Sequence, residues 1–365
     1  MAENYIKDSE PFDPEFISRI EMMVRAGDAL IASPSTIQDA YSLEEYIIRG
    51  ANTSLNVLLD TNILTRLIHL AKGIEINESE KEIYQNCCAV MCFFILGKFQ
   101  VEPNIAVYEK ASKNGHSNAL NDYRNFMIAN HIHPLVYAKL AFGQINKIDT
   151  KQIQYTKETI NIGSPEESDF AKKLNDWKLI YLSLLKAKTL LKAELERTEK
   201  FKSMMEWFVS QSSTTPEIIV FIIFLFSPRA SNKIGKMIND IKSPDFEIQK
   251  EGLKNTAWDL TFLTEWDTKC RSQPKTTVWF FCTHDKVLEA IARYCHPKQV
   301  EDKDITLQNL ITDYWGKSEG KKVYSHYKEM EKAISSNIDN RRDHNRTVWS
   351  NIDKMIEDLE LELQM

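Results

Sequence analysis

The sequence predicts an α/β fold in which a short parallel sheet is interrupted by a large helical insertion. Two runs, 55–59 and 276–286, are rich in β-branched, aromatic or aliphatic residues and end in polar residues, which is typical of buried strands. Apolar residues at three- and four-residue steps follow each run and predict helices. Helices that alternate with buried strands indicate a parallel sheet, whose carboxyl ends form the usual ligand-binding edge.

The remaining elements follow from the same periodicity. The predicted core elements are, in order, helix 61–73, helix 78–97, a short strand at 99–101, a helix that begins at Pro103, helix 253–270 and a helix that begins at Lys286. The helix after Pro103 carries Glu109 in its second turn. Between these core segments the pattern is helical, and a capping box at 164–167 predicts the start of a long helix.

Five segments result from this pattern. They are a helical N-terminal extension (1–54), the first part of the core (55–117), a helical insertion (118–250), the second part of the core (251–300) and a charged helical C-terminal extension (301–365).

The composition is that of an ordinary soluble globular protein, with 43% hydrophobic and 27% charged residues in a chain of 365. A net charge of −6 gives no overall attraction to nucleic acid. A polyanionic substrate would therefore have to be bound by a local basic patch or through metal ions.

Nothing in the sequence predicts a membrane protein. The N-terminus lacks the apolar core of a signal peptide, and the most apolar run, 218–226, is far shorter than the roughly 20 residues that cross a bilayer. The six cysteines form no CxxC pair and mostly lie in apolar surroundings. We therefore expect a cytoplasmic protein with reduced, buried thiols and no membrane partner.

Four acids stand at comparable places around the predicted strands. Asp60 ends the first strand, Glu109 lies on the helix after the short strand, Asp259 lies near the start of the helix before the last strand, and Asp285 follows that strand. Converging carboxylates repel one another unless cations neutralise them, and oxygen ligands suit Mg²⁺ or Mn²⁺. A divalent ion held there activates water for phosphodiester hydrolysis.

Each acid has a simpler interpretation when it is taken alone. An aspartate at a strand end is more often a turn residue or a helix cap. Asp267 would replace Asp259 if the helix has a different phase, whereas Glu265 and Asp313 are solvated acids by default. The order and context of the four acids together favour a metal site.

Four segments resemble the PIN-like (PilT N-terminus) metal-dependent nucleases. They are "VLLDTNIL" with Asp60, "VEPNIAVYEKA" with Glu109, "NTAWDLTFL" with Asp259 and "VWFFCTHDKVL" with Asp285. The first and last motifs are moderately specific, and the matching segments cover roughly 55–115 and 253–300.

The resemblance implies a Rossmann-like α/β/α sandwich, one or two divalent ions and cleavage of RNA or single-stranded nucleic acid. In it the four acids are both catalytic residues and metal ligands, and Thr61, Asn62 and Thr283 orient them. Two features depart from the family. About 150 positions separate Glu109 from Asp259, and His284 stands where the family often has a small or acidic residue.

Several other residues are candidates for contact with substrate. His284, beside Asp285, could assist proton transfer or contact phosphate, and a peripheral role is an equal alternative, whereas Lys286 on the other side of Asp285 is better placed to contact substrate. Six lysines of the insertion could follow a phosphate backbone, although a solvated helix face is the more common reading (Lys186, Lys188, Lys192, Lys233, Lys236, Lys242). Trp258 and Trp266 could stack on bases, but such residues are usually core.

Other chemistries have less support. His131 and His133 lack a third metal-ligand pattern, so a polar turn is the simpler interpretation. Phosphatases of the haloacid-dehalogenase type need a second aspartate where this chain has Asn62. The sequence contains no GxSxG, Walker or GxGxxG motif.

The sequence therefore predicts a metal-dependent nuclease, most simply a ribonuclease. By analogy with the family, it would act as a toxin or antiviral defence effector that a protein partner inhibits or activates, and it would form a homo-oligomer. The alternative is a catalytically inactive PIN-like scaffold that acts through its helical insertion. Retention of all four acids favours the enzyme.

Overall fold

The chain folds into two compact units in a computed structural model. The structure describes residues 13–32, 41–44, 46, 53–160, 170, 172, 174–229, 241, 243, 245–272, 274, 276–295, 303–336 and 338–364. Unit 1 consists of Met1–Ala32, Ile37–Asp169 and Gln273–His284, and unit 2 consists of Ser33–Thr36, Phe170–Ser272 and Asp285–Met365. The predicted insertion, 118–250, therefore contributes to both units.

Unit 1 contains a four-stranded mixed sheet. Its strands are β1 (Leu30–Ala32), β2 (Ser54–Leu59), β3 (Gln100–Glu102) and β4 (Thr277–Cys282), and their order in the sheet is β1-β4-β2-β3. β2 pairs in parallel with both β3 and β4, whereas β1 pairs antiparallel with β4. The carboxyl ends of β2, β3 and β4 consequently lie at one edge.

Helices pack around this sheet. Those of unit 1 are α1 (Pro14–Gly27), α2 (Thr61–Ala71), α3 (Lys81–Leu96), α4 (Asn104–Asn114), α5 (His116–Asn130), α6 (Pro134–Ala141) and α7 (Thr150–Thr159). The very apolar α3 packs against α1 and α6, and α5 packs against α2 and α4. An aromatic cluster joins the sheet to α3, with Phe280 of β4 in edge or tilted contact with Tyr46 and Phe99.

Every secondary-structure element of unit 2 among its described residues is a helix. Its helices are α8 (Asn175–Lys192), α9 (Arg197–Ser210), α10 (Pro216–Phe226), α11 (Phe246–Ser272), α12 (Lys286–Cys295), α13 (Lys303–Trp315), α14 (Lys317–Ser335) and α15 (Ile338–Gln364). α8 packs against α11 and α15, and α9 packs against α14. Every residue of α10 after Pro216 is buried, as its apolar sequence predicts.

The structure confirms an α/β fold with a short sheet, although most of the chain is helical. The prediction of an all-parallel sheet is wrong at one edge, because β1 is antiparallel and lies within the N-terminal extension predicted to be helical. The capping box at 164–167 lies outside the described residues. None of the described helices combines the length and apolar character that a bilayer crossing needs.

Candidate functional site

The carboxyl ends of β2 and β4 are level with each other, and this places Asp60 beside Thr283. Leu59 and Cys282 are the last paired residues of these two parallel strands. One residue after the end of β2, the Asp60 backbone N–H donates to the Cys282 carbonyl over 3.0 Å. The Thr283 hydroxyl donates to Asp60 Oδ2 over 2.7 Å. The register of the sheet therefore brings together two residues that are far apart in sequence.

Asp60 is also the residue at which the chain enters α2. Its backbone is extended, and its side chain does not cap the helix. Instead the carboxylate turns towards Asn62, whose Nδ2 donates to Asp60 Oδ2 over 3.2 Å. Only 2% of Asp60 is exposed. An ionised carboxylate buried to this extent needs hydrogen-bond donors or a cation, and Thr283 and Asn62 supply two donors.

Glu109 is a second buried carboxylate beside α2. It lies on α4, which packs against α2 and β2, and 6% of it is exposed. The Thr61 hydroxyl donates to Glu109 Oε2, and the Lys113 ammonium forms an ion pair with Glu109 Oε1 over 2.6 Å. Asp60 and Thr61 are consecutive, so the first carboxylate and the hydroxyl that binds the second carboxylate both lie at the start of α2.

Two more lysines lie along the same side of α2. Lys110 of α4 donates to Thr65 Oγ1 over 3.4 Å and pairs with Asp122 of α5 over 3.1 Å. Lys72, just after α2, pairs with the other oxygen of Asp122 over 3.3 Å. Two ammonium groups thus share one carboxylate on this flank of α2.

His69 lies on the last turn of α2, in contact with Tyr84 of α3. Its Nδ1 is 2.8 Å from the Tyr84 hydroxyl. Burial lowers the pKa of His69, and the nearby Lys72 and Lys110 lower it further. Because the ordinary histidine pKa is about 6.5, the imidazole is neutral at pH 7. His69 therefore adds no charge to this side of the helix at that pH.

The other two predicted acids belong to unit 2. Asp259 lies in the middle of α11, not near the start of a helix, because α11 begins seven residues earlier than the predicted helix. Asp285 caps α12, since its Oδ1 accepts the backbone N–H groups of Val287 and Leu288 over 2.7 and 3.2 Å. As metal ligands, Asp259 and Asp285 stay predictions from the resemblance.

The two candidate substrate contacts that follow β4, His284 and Lys286, lie in different units. His284 is half-buried and ends the last segment of unit 1. Lys286 is exposed, belongs to unit 2 and forms an ion pair with Glu289 over 2.9 Å. A role in substrate binding stays a prediction for both residues.

The donor atoms around Asp60 and Glu109 are compatible with a divalent ion. They are carboxylate, hydroxyl and amide oxygens, which Mg²⁺ and Mn²⁺ prefer. Mg²⁺ keeps several water ligands and is often held by one or two carboxylates. In the part of the chain that the structure describes, no three His, Cys, Asp or Glu side chains are grouped as ligands for one ion. Any site built on Asp60 and Glu109 would be of the two-carboxylate kind.

Sequence reasoning missed two cations, Lys113, which pairs with Glu109, and Arg66, which binds the backbone of Asn62. Lys113 lies four residues after Glu109, and Arg66 lies four residues after Asn62. Their Nζ and Nη1 atoms reach back to Glu109 Oε1 and to the Asn62 carbonyl. The four-residue spacing was the available signal, because residues at i and i+4 are neighbours on a helix surface.

Several residues weighed for function have structural roles. Trp258 and Trp266 are buried, and Asp267 is a buried partner of Arg271. Lys188 and Lys192 donate to the carbonyls of Ile241 and Leu363 over 2.6 and 2.7 Å. His131 Nδ1 contacts the Met127 carbonyl, and His133 caps α6, as expected of a polar turn. Of the other basic candidates, Lys233, Lys236 and Lys242 lie outside the described residues.

The six cysteines are free thiols, and all except Cys270 are buried. Burial raises the pKa of Cys87 and of Cys92 to about 12. Thiols of this kind are poor nucleophiles and poor metal ligands at neutral pH.

No protein-family model, no curated protein and no solved structure matches this chain.

Proposed function

We propose that this chain is a divalent-metal-dependent nuclease that hydrolyses phosphodiester bonds, with RNA as its preferred substrate, and that Asp60 and Glu109 hold the metal. Two buried carboxylates at the carboxyl edge of a parallel strand pair, each bound by a threonine hydroxyl, support this proposal. The PIN-like motifs quoted above support it as well. The α/β/α sandwich of that family is part of the same proposal.

Each side chain has a defined task in this proposal. A bound divalent ion would polarise a phosphate ester and make a coordinated water molecule more acidic. Asp60 and Glu109 would hold that ion through one oxygen each. Thr283 and Asn62 keep the Asp60 carboxylate in one orientation, and Thr61 does the same for Glu109. Such fixed orientation matters because small displacements of a catalytic group cost rate steeply.

Lys113 has to move for Glu109 to bind a metal through Oε1. Its ammonium is 2.6 Å from that oxygen, and 42% of its side chain is exposed. The Lys113 side chain is long and partly exposed, so its ammonium can rotate into solvent when a divalent ion takes its place, whereas departure without such a replacement would leave a buried carboxylate uncompensated. The ammonium therefore stands where a cation is favourable and can be displaced from it.

The first test is the cleavage of labelled single-stranded RNA and DNA with Mg²⁺ or Mn²⁺. We expect the wild type to cut RNA and Asp60→Asn to lose at least about 100-fold in rate, because the substitution is nearly isosteric and removes one charged ligand. Asp149→Asn is the matched control. Asp149 is also the N-cap of a helix in unit 1, and asparagine caps equally well there.

Metal binding is measured in parallel by titration calorimetry with Mn²⁺. Weaker Mn²⁺ binding in Asp60→Asn, with Asp149→Asn unchanged, supports the site. Equal cutting by the wild type and Asp60→Asn would contradict the assignment of Asp60. Cleavage of the labelled substrate that persists in EDTA would contradict the proposed dependence on a divalent metal.

The alternative function is a PIN-like interaction scaffold without turnover. The ion pair between Lys113 and Glu109 favours it, because it satisfies a buried carboxylate with no metal. A scaffold would bind no Mn²⁺ and cut neither polymer, and its helical insertion would be the surface to test for a protein partner. The toxin or antiviral role, a controlling partner and a homo-oligomer all depend on which of these functions is correct.

A further inference from the structure

Arg66 extends along α2 back towards Asn62, in the first turn of the helix. Its Nη1 donates to the Asn62 carbonyl over 2.8 Å, one helical turn towards the start of the helix. The Asn62 side chain in turn lies 3.2 Å from Asp60 Oδ2. This direction is the usual one for long side chains, which lean towards the N-terminus of their helix. The guanidinium is therefore hydrogen-bonded to the first turn of α2, and the side chain of the residue it binds there, Asn62, contacts the Asp60 carboxylate.

The lysines near Arg66 have acidic partners, whereas Arg66 has none among the residues that the structure describes. Lys113 pairs with Glu109, and Lys110 and Lys72 share Asp122. Arg66 forms no ion pair with any residue that the structure describes, and its Nε has no hydrogen-bond partner among them. Its guanidinium carbon lies 6.0 Å from the centre of the Tyr84 ring, which steadies the side chain without neutralising it.

We propose that Arg66 binds a phosphate group of a single-stranded RNA at the Asp60 site. This inference rests on the function proposed above and adds a substrate-binding residue to it. A guanidinium has five N–H donors in a planar fork that matches two phosphate oxygens; Arg66 uses one of them on Asn62 and its Nε is buried, which leaves the remaining N–H groups of Nη1 and Nη2 for the phosphate. In a chain with a net charge of −6, an anionic polymer needs such a local cation.

A purely structural role would be limited to the hydrogen bond to Asn62 and the contact with Tyr84. Loss of those contacts changes the free energy of unfolding but leaves the salt dependence of RNA binding unchanged. Loss of a phosphate contact changes the salt dependence, because each contact releases counterions from the polymer. The two roles are therefore separable by measuring binding at several salt concentrations.

Binding is measured by fluorescence anisotropy with a 5′-labelled single-stranded RNA of mixed sequence, in Mg²⁺. All variants carry Asp60→Asn, which removes a charge that repels phosphate and is expected to stop cutting. The added substitutions are Arg66→Met, Arg66→Lys and the control Arg229→Met. Arg229 likewise donates to one backbone carbonyl, that of Asp313 over 2.8 Å, but lies in unit 2. Circular dichroism checks that each variant is folded.

We expect Arg66→Met to weaken binding about tenfold, which corresponds to about 1.4 kcal/mol. The slope of log K against log salt should fall by about 0.7, the value for one phosphate contact on a single strand. Arg66→Lys should keep the slope and lose part of the affinity, because it retains the charge without the fork. Arg229→Met should change neither quantity.

Unchanged affinity and slope in Arg66→Met would overturn the inference while leaving the nuclease intact, provided that the wild type cuts RNA. If Arg66→Met does not fold, the RNA affinity of Arg66→Lys becomes the test. Wild-type RNA affinity in Arg66→Lys would overturn the forked contact between the guanidinium and the phosphate. If the Asp60→Asn protein binds no RNA and the wild type cuts none, the inference and the proposed function are both overturned.

Discussion

The hydroxyl group of Thr283, which directly follows β4, donates a hydrogen bond to the carboxylate of Asp60, which directly follows the neighbouring strand β2. Thr283→Val keeps the shape of the side chain and removes the donor that lies 2.7 Å from Asp60 Oδ2. Because both residues are buried, we expect the free energy of unfolding to fall by about 1–3 kcal/mol, measured by urea denaturation. Thr283→Ser keeps the hydroxyl and should lose much less. Equal stability of Thr283→Val and the wild type would show that other donors hold the carboxylate.

The proximity of Asp60 and Thr283 was predictable from sequence, whereas for the nearby cations Lys113 and Arg66 the sequence offered only a four-residue spacing. A strand that ends in Asp60 and another that ends before Thr283 have to meet at one edge if they are parallel neighbours. Lys113 and Arg66 occupy polar positions of amphipathic helices, where the default expectation is a solvated side chain. Only the structure shows that both turn back towards the start of α2.

At the scale of elements, side chains from other helices donate hydrogen bonds to the free carbonyl groups at the C-terminal ends of two helices in unit 2. Arg341 of α15 donates to the carbonyls of Phe208, Val209 and Ser212 at the end of α9, over 2.6–2.7 Å. Trp315 Nε1 donates to the Ile223 carbonyl near the end of α10 over 3.0 Å. The last carbonyls of a helix have no partner within it, so a cation there satisfies them and complements the helix dipole.

Arg341→Met should therefore destabilise unit 2 by about 1–3 kcal/mol, since three partly buried carbonyls lose a charged donor. Urea denaturation followed by circular dichroism measures this change. Arg346→Met is the control, because Arg346 lies on the same helix and its ion pair with Asp343 is highly exposed. A loss in Arg346→Met as large as that in Arg341→Met would mean that helix propensity, and not the cap, is responsible.

Elements with a strong local signal were predictable, and weak ones were not. β2, β4 and α10 are long or very apolar, so their residues alone indicate them. β1 has three residues and pairs with a strand some 250 positions later, which local periodicity cannot reveal. α11 extends beyond its predicted start, because the boundaries of helices depend on packing as well as on sequence.

At the scale of the whole molecule, neighbours in sequence do not always share a unit. The chain leaves unit 1 after Asp169, returns at Gln273 for β4 and leaves again after His284. Local patterns identify the helices between these points but do not specify which of them pack together. The division between the units therefore could not be read from composition or periodicity, and it has to be tested by an experiment that monitors both units at once.

Buried cysteines provide such an experiment. Cys282 lies in unit 1 with Cys87, Cys88 and Cys92, whereas Cys295, much nearer to Cys282 in sequence, lies in unit 2. Labelling by a thiol reagent at increasing urea, read by mass spectrometry, reports the opening of each unit. Phe280→Ala removes a fully buried ring from unit 1 and should cost about 3–5 kcal/mol there.

We expect Phe280→Ala to expose Cys282 and Cys87 at lower urea and to leave the labelling of Cys295 unchanged. Phe208→Ala, which removes a fully buried ring from α9, should have the opposite pattern and expose Cys295 first. If the labelling of Cys282 instead changed together with that of Cys295 in both variants, the unfolding of β4 would be coupled to that of α12, the helix that follows it. The Asp60 carboxylate would then depend on a strand whose stability comes from the other unit, because Thr283 follows β4 directly.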